Sequence, residues 1–223
     1  TGYTTFRNGQ NVSLQIGMSL DTQAKYLART FIMNKAYDVQ LSLQYDFVDD
    51  SSVYRIGYQE RGFGLVFGEN RSYEKKPAWT AMRNVCSLFS APVEAWNPEW
   101  TVTVDPPAYP VKAPQRITSS HVVWDGEKIE PRNRVMTFVF RNPESGEVLL
   151  AAWNAVAPNQ RAPLLAELEL GTDAYGDFDA VDVMTGKRIG LNVRRVKGRT
   201  VFKQLEIPDG PIVIRMRTEN GSE

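Results

Sequence analysis

The chain has 223 residues, 42% hydrophobic and 23% charged, enough to bury a substantial core in one large domain or two small ones. Lys plus Arg equal Asp plus Glu at 26 each, so no net field favours nucleic acid or an anionic membrane surface. A single cysteine and a single histidine exclude an internal disulfide and a multi-cysteine metal site, and no apolar run approaches the roughly 20 residues of a membrane span. Chemistry therefore falls to carboxylates, with aromatics and amides for binding, and no metal or cofactor is expected.

Thr1 to Phe6 reads as a strand end running into a polar loop, with Asn8-Gly9 as a turn signal. Ser19 then caps a helix that carries Asp21 in its first turn. Leu20, Ala24, Leu27 and Phe31 recur at helical spacing, and the pattern fades near Asn34-Lys35. From Asp38 to Phe47 the rhythm changes to period two. Val39, Leu41, Leu43, Tyr45 and Phe47 alternate with Gln40, Ser42, Gln44 and Asp46, which predicts a strand with one apolar face and one polar face. A long loop from Asp49 to about Arg71 follows, and loops of that length are usually functional. A second helix starts at Pro77, with Ala78, Met82, Val85 and Phe89 as its buried stripe and Cys86 expected as an inert core thiol. Helix, strand, long loop and helix are the grammar of parallel α/β proteins.

Residues 92–116 hold six prolines and read as an extended linker. Beyond it, candidate strands at 117–124, 134–140, 147–153, 165–170, 178–183, 199–207 and 211–217 are separated by turn signals. These are Asp125-Gly126, Ser145-Gly146, Thr185-Gly186, Lys197-Gly198 and Asp209-Gly210. Short strands at this spacing predict an antiparallel sandwich. His121 sits inside the first of them, as a structural histidine. The predicted organisation is an α/β part over 1–91, a linker over 92–116 and an all-β sandwich over 117–223.

If the strand at 39–47 belongs to a barrel, its apolar face packs on the helical shell and its polar face lines the lumen. Gln44 and Asp46 then reach the mouth, where barrel enzymes build their sites. The loop after it is dense in residue types that bind sugars: Asp49, Asp50, Tyr54, Tyr58, Gln59, Glu60, Arg61, Phe63 and Phe67. Sugars lay apolar C–H faces on aromatic rings and pair their hydroxyls with carboxylates and amides.

Five segments in order resemble clan A glycoside hydrolases, and among them bacterial family 39-like enzymes, which carry a β-sandwich beside a (β/α)8 barrel. Gly2-Tyr3-Thr4-Thr5 resembles the segment after the seventh barrel strand, where the nucleophile stands in a pattern such as Glu-x-Gly-Tyr. The segment Gln23 to Arg29 resembles the seventh barrel helix. Gln44-Tyr45-Asp46-Phe47-Val48-Asp49-Asp50 resembles the eighth strand and its exit, often written Trp-Tyr-Asp-Phe. Glu60 to Val66 and Lys76-Pro77-Ala78-Trp79 resemble the final loop and the start of the final helix.

The resemblance covers roughly residues 1–90. It implies the last strands and helices of a (β/α)8 TIM barrel followed by an antiparallel β-sandwich. It also implies the C-terminal portion of a retaining glycosidase cleaving β-linked polysaccharide or oligosaccharide, with carbohydrate contacts from Tyr3, Gln44, Tyr45, Asp46, Glu60 and Phe63.

Two departures qualify it. Gln44 stands where the family often has a tryptophan floor, and a glutamine cannot stack on a sugar. A retaining mechanism also needs two carboxylates about 5 Å apart. The family places the acid/base after strand four and the nucleophile at the end of strand seven, immediately before Thr1. Both catalytic Glu are therefore expected upstream, on an N-terminal part of the same polypeptide that completes the barrel. Secretion to the periplasm or the cell exterior is expected, because polymeric substrates lie there. The competing reading is a non-catalytic carbohydrate-binding sandwich with Trp124 and Trp153 as platforms. In a third reading the sandwich buttresses the barrel through Trp96, Trp100 and Tyr109.

Overall fold

The computed structural model describes residues 3, 5, 17–50, 62–105, 135–155 and 163–218. Helix α1 spans Leu20–Ala36. Ser19 is extended and its Oγ accepts from the Thr22 amide at 3.0 Å, satisfying one of the donors that a helix start leaves over. Ala24, Leu27, Ala28 and Ile32 on its inner face are fully buried. Helix α2 spans Pro77–Leu88 and begins on the proline, whose missing N–H costs nothing there. Its buried residues include Ala78, Ala81, Met82, Val85 and Leu88. Cys86 is exposed, so the expected core thiol is corrected: it lies one residue past Val85, about 100° around the helix from the packed stripe.

Ten strands follow: β1 (Glu94–Ala95), β2 (Val102–Asp105), β3 (Val135–Arg141), β4 (Val148–Asn154), β5 (Leu164–Leu170), β6 (Asp177–Asp182), β7 (Arg188–Ile189), β8 (Asn192–Arg195), β9 (Thr200–Ile207) and β10 (Ile212–Arg217). They form a six-stranded sheet, β1-β3-β4-β10-β6-β7, and a four-stranded sheet, β2-β5-β9-β8, with every pairing antiparallel. The antiparallel sandwich is thus present. The candidate strand at 117–124, with His121 and Trp124, lies outside the described residues, as does Tyr109. Within the stretch 92–116 the described residues give β1 to one sheet and β2 to the other, with a bend at Glu99-Trp100 between them.

The six-stranded sheet is buried on both faces. On β4, Leu149, Ala151 and Trp153 join Val213 of β10 in a core shared with α1 and α2. Val148, Leu150 and Ala152 point the other way and join Ile212, Ile214 and Met216 in a core shared with the four-stranded sheet. Helices, sheet and sheet therefore stack as three layers. Polar groups tie the helices to the sandwich at the β9–β10 turn. The Lys25 ammonium sits 2.8 Å from Asp209 and 2.6 Å from Asp21. Arg29 donates to the carbonyls of Asp209 at 2.9 Å and Asn154 at 3.0 Å. Asn84 of α2 donates to the Val183 carbonyl at 2.9 Å.

The segment 39–47 departs from expectation. It is part of no described strand, and its alternating side chains Val39, Leu41, Leu43, Tyr45 and Phe47 are 46% to 72% exposed, although the Phe47 ring meets Trp79 of α2 edge-on at 5.6 Å. Period two records which side is apolar, but burial needs a layer on that side, and none of the described elements supplies it. Val48 makes a parallel bridge with Val66, and no barrel is assembled among the described residues.

Candidate functional site

The end of this segment is held firmly. Phe47 accepts from the amides of Leu65 at 2.9 Å and Val66 at 3.1 Å, and the Asp49 amide donates to the Val66 carbonyl at 3.0 Å. Gly64 makes the crossing possible. A Cβ there would stand 2.2 Å from the Asp49 nitrogen, 2.5 Å from the Val48 carbonyl carbon and 2.6 Å from the Val66 oxygen, so only glycine fits.

Beneath the crossing lies a buried ion pair. The Lys76 side chain is fully buried, and its Nζ donates to Asp49 at 2.6 Å, Thr5 Oγ1 at 3.2 Å and the Gly62 carbonyl at 3.3 Å. Asp49 also accepts from the Gly64 amide at 2.8 Å. Burial pushes the Asp49 carboxyl above its ordinary value and the Lys76 ammonium below its own, each against the pull of its partner. Desolvation outweighs pairing on both sides. Asp49 is therefore a structural carboxylate, its Oδ1 taken by Lys76 and Gly64.

Gln23 of α1 is the second anchor, and fully buried. Its Nε2 lies 2.8 to 3.4 Å from the carbonyl oxygens of Tyr3, Gly62, Phe63 and Gly64, while its Oε1 is buried without a hydrogen-bond partner. One side chain thereby fixes the start of the chain against the loop before α2. Its polar type on the buried side of α1 was the available signal in the sequence, and helical periodicity passes over it.

The predicted site residues come together in part. Gln44 is half-buried and donates to the carbonyls of Tyr45 at 2.7 Å and Phe63 at 3.3 Å. The Tyr45 ring, 50% exposed, meets Phe63 edge-on with centroids 5.6 Å apart, and Phe63 itself is buried at 4% exposure. Phe63 is thus a support beneath Tyr45 and has little surface to offer a ligand. Asp46 is half-buried beside a small acidic cleft of about 290 Å³ lined by Val48, Asp49, Asp50, Glu69 and Tyr73 as well. Tyr3 turns away from that cleft: its ring stacks on Tyr26 at 5.0 Å and its hydroxyl lies 3.2 Å from Thr30 Oγ1. Glu60 lies outside the described residues.

The arrangement offers an exposed tyrosine ring, a half-buried aspartate and further carboxylates along one cleft, a set suited to hydrogen-bonding hydroxyls. Among the described residues, no group of three or more His, Cys, Asp or Glu could hold a metal ion. No described helix is long and apolar enough to cross a membrane. Trp153 is 2% exposed and stacks on Phe138 at 5.3 Å, which places it in the core and removes it as a glycan platform. The chain matches no protein-family model and no curated protein.

Proposed function

We propose that this chain is the C-terminal wall of a retaining glycoside hydrolase acting on β-linked polysaccharide or oligosaccharide. An N-terminal part of the same polypeptide would supply the remaining strands of a (β/α)8 barrel and both catalytic Glu. The observation that carries this reading is the segment 39–49. Its carboxyl end is pinned by Gly64, Val66 and Lys76, while Val39, Leu41, Leu43 and Phe47 are 46% to 72% exposed. Each such side chain gains about 1.5–3 kcal/mol when fully covered, so a neighbouring layer is the economical solution for this sequence. Flanking strands of a barrel provide one, and the parallel Val48–Val66 bridge between the two helices fits α/β order.

In this reading Tyr45, Asp46 and Glu60 contact the sugar, Phe63 braces Tyr45, and Tyr3 stands two residues beyond Thr1, next to the nucleophile. Gln44 instead fixes the backbone beside them, its Nε2 held by the Tyr45 and Phe63 carbonyls and its Oε1 buried, so a sugar floor comes from other groups. A polymeric substrate places the enzyme in the periplasm or outside the cell. The test is steady-state hydrolysis of β-linked glycans by the intact polypeptide. Asp46→Ala and Glu60→Ala are expected to lower kcat by about 10²-fold with an unchanged unfolding midpoint, and wild-type turnover in both variants would refute the assignment.

A further inference from the structure

We propose a second saccharide site, separate from residues 44–76, in the cleft where the β1–β2 connection crosses the end of the sandwich. The cleft holds about 610 Å³, within the range of small-ligand pockets. Its wall is a six-residue bend, Trp96 to Thr101, fixed at both ends. The Trp96 amide donates to Val139 of β3 at 2.9 Å, and the Thr101 carbonyl accepts from Gly171 at 2.8 Å. One end is thus tied to the six-stranded sheet and the other to the strand that follows in the four-stranded sheet. Trp96 and Trp100 meet at 76° with centroids 5.7 Å apart, forming a corner of two indoles. Trp100 is braced from behind by an edge contact and a hydrogen bond with Tyr175. Arg141 lies over the Trp96 ring at 5.4 Å without lining the cleft.

Asn97, Glu99 and Thr137 line the same cleft. Asn97 and Glu99 are exposed and make no hydrogen bond or ion pair among the described residues, so an amide and a carboxylate are available to a ligand. The cleft has one acidic lining residue and no basic one, which disfavours phosphate, sulfate or a uronate. A neutral oligosaccharide fits this mix: its C–H faces lie against indole edges and faces, and its neighbouring hydroxyls pair with the carboxylate and the amide. The bend is fixed before the ligand arrives, so little ordering entropy is lost on binding. The site is independent of the glycosidase reading and would hold a glycan whether or not the chain's polypeptide cleaves it.

The test is calorimetric titration of the intact polypeptide with gluco-, xylo- and manno-hexaoses, and with sulfated oligosaccharides as controls. At least one neutral hexaose is expected to bind saturably with a micromolar to millimolar Kd, and the sulfated set is expected not to bind. Glu99→Ala and Asn97→Ala, both on exposed side chains, should each weaken binding by about tenfold or more. Asp46→Ala should leave this Kd unchanged, which separates failure here from failure of the hydrolase assignment. Absence of saturable binding across the neutral panel, or binding that Glu99→Ala and Asn97→Ala leave within about twofold, overturns the proposal.

Discussion

Removing Asp49 should harm the protein more than removing its partner Lys76, although both break the same ion pair. The Lys76 side chain is 0% exposed and that of Asp49 is 14% exposed. In Asp49→Ala the ammonium keeps Thr5 Oγ1, the Gly62 carbonyl and the face of the Phe67 ring, all neutral, and remains cut off from water. An uncompensated buried charge of this kind costs about 3–5 kcal/mol. In Lys76→Met the aliphatic stem is replaced at similar volume, and Asp49 keeps the Gly64 amide and some access to water. That loss is about 1–3 kcal/mol. The double variant Asp49→Leu/Lys76→Met should cost less than Asp49→Ala alone, because neither charge is left stranded. Urea unfolding of the intact polypeptide followed by far-ultraviolet circular dichroism measures all three. Equal losses for the two single variants, or a loss below about 1 kcal/mol for Asp49→Ala, would refute the claim that desolvation governs this pair.

Gly64→Ala should destabilise by about 2–3 kcal/mol, since the methyl meets three backbone atoms that cannot yield, whereas Gly190→Ala, with nothing within 4 Å, should be neutral or slightly stabilising; thermal unfolding separates them. Asp209→Ala should cost about 1–3 kcal/mol, because the nearly buried Lys25 at the joint between helices and sandwich loses one of its two carboxylates and keeps Asp21, read from the urea midpoint. Burial lowers the Lys25 pKa, but the hydrogen bonds and charges of Asp209 and Asp21 outweigh it, so the folded value lies above 10.5. The stability this contributes is fully present below the unfolded value of 10.5 and is lost as pH rises through the folded one. The advantage of wild type over Lys25→Met should therefore shrink only in strong alkali, and a shrinkage beginning near neutrality would contradict the pairing.

The features legible in the sequence are those that local chemistry decides. Ser19 caps α1 and Pro77 opens α2 because each acts on the turn beside it. Gly146, Gly186 and Gly198 each take positive φ in turns marked by a small or polar residue followed by glycine, and β3, β4, β5, β6, β9 and β10 fall within a residue or two of expectation. What escaped depends on partners remote in sequence. β1, β2, β7 and β8 are two to four residues long and lack a periodic signature; Val102 pairs with Leu170 and Arg195 with Thr200 only once β5 and β9 are in place. Cys86 illustrates a helix pattern read one position too broadly. The exposed apolar row from Val39 to Phe47 shows the converse, a strand-like sequence that joins none of the described sheets. At the site, Gln44, Tyr45 and Asp46 are adjacent in the chain, whereas the place of Phe63 beside Gln44 comes from a contact 19 residues away, and the roles of Gln23 and Lys76 from contacts 20 to 41 and 14 to 71 residues away.

The most direct measurement is covalent trapping. Retaining glycosidases form a glycosyl-enzyme intermediate, which activated 2-deoxy-2-fluoroglycosides accumulate. Incubating the intact polypeptide with a panel of β-configured trapping sugars, followed by peptide mass spectrometry, locates the nucleophile. The account predicts a single adduct on a glutamate immediately before Thr1, with Asp46→Ala slowing its formation. An adduct on any carboxylate within residues 1–223, or hydrolysis of the β-linked substrate with inversion, would contradict it.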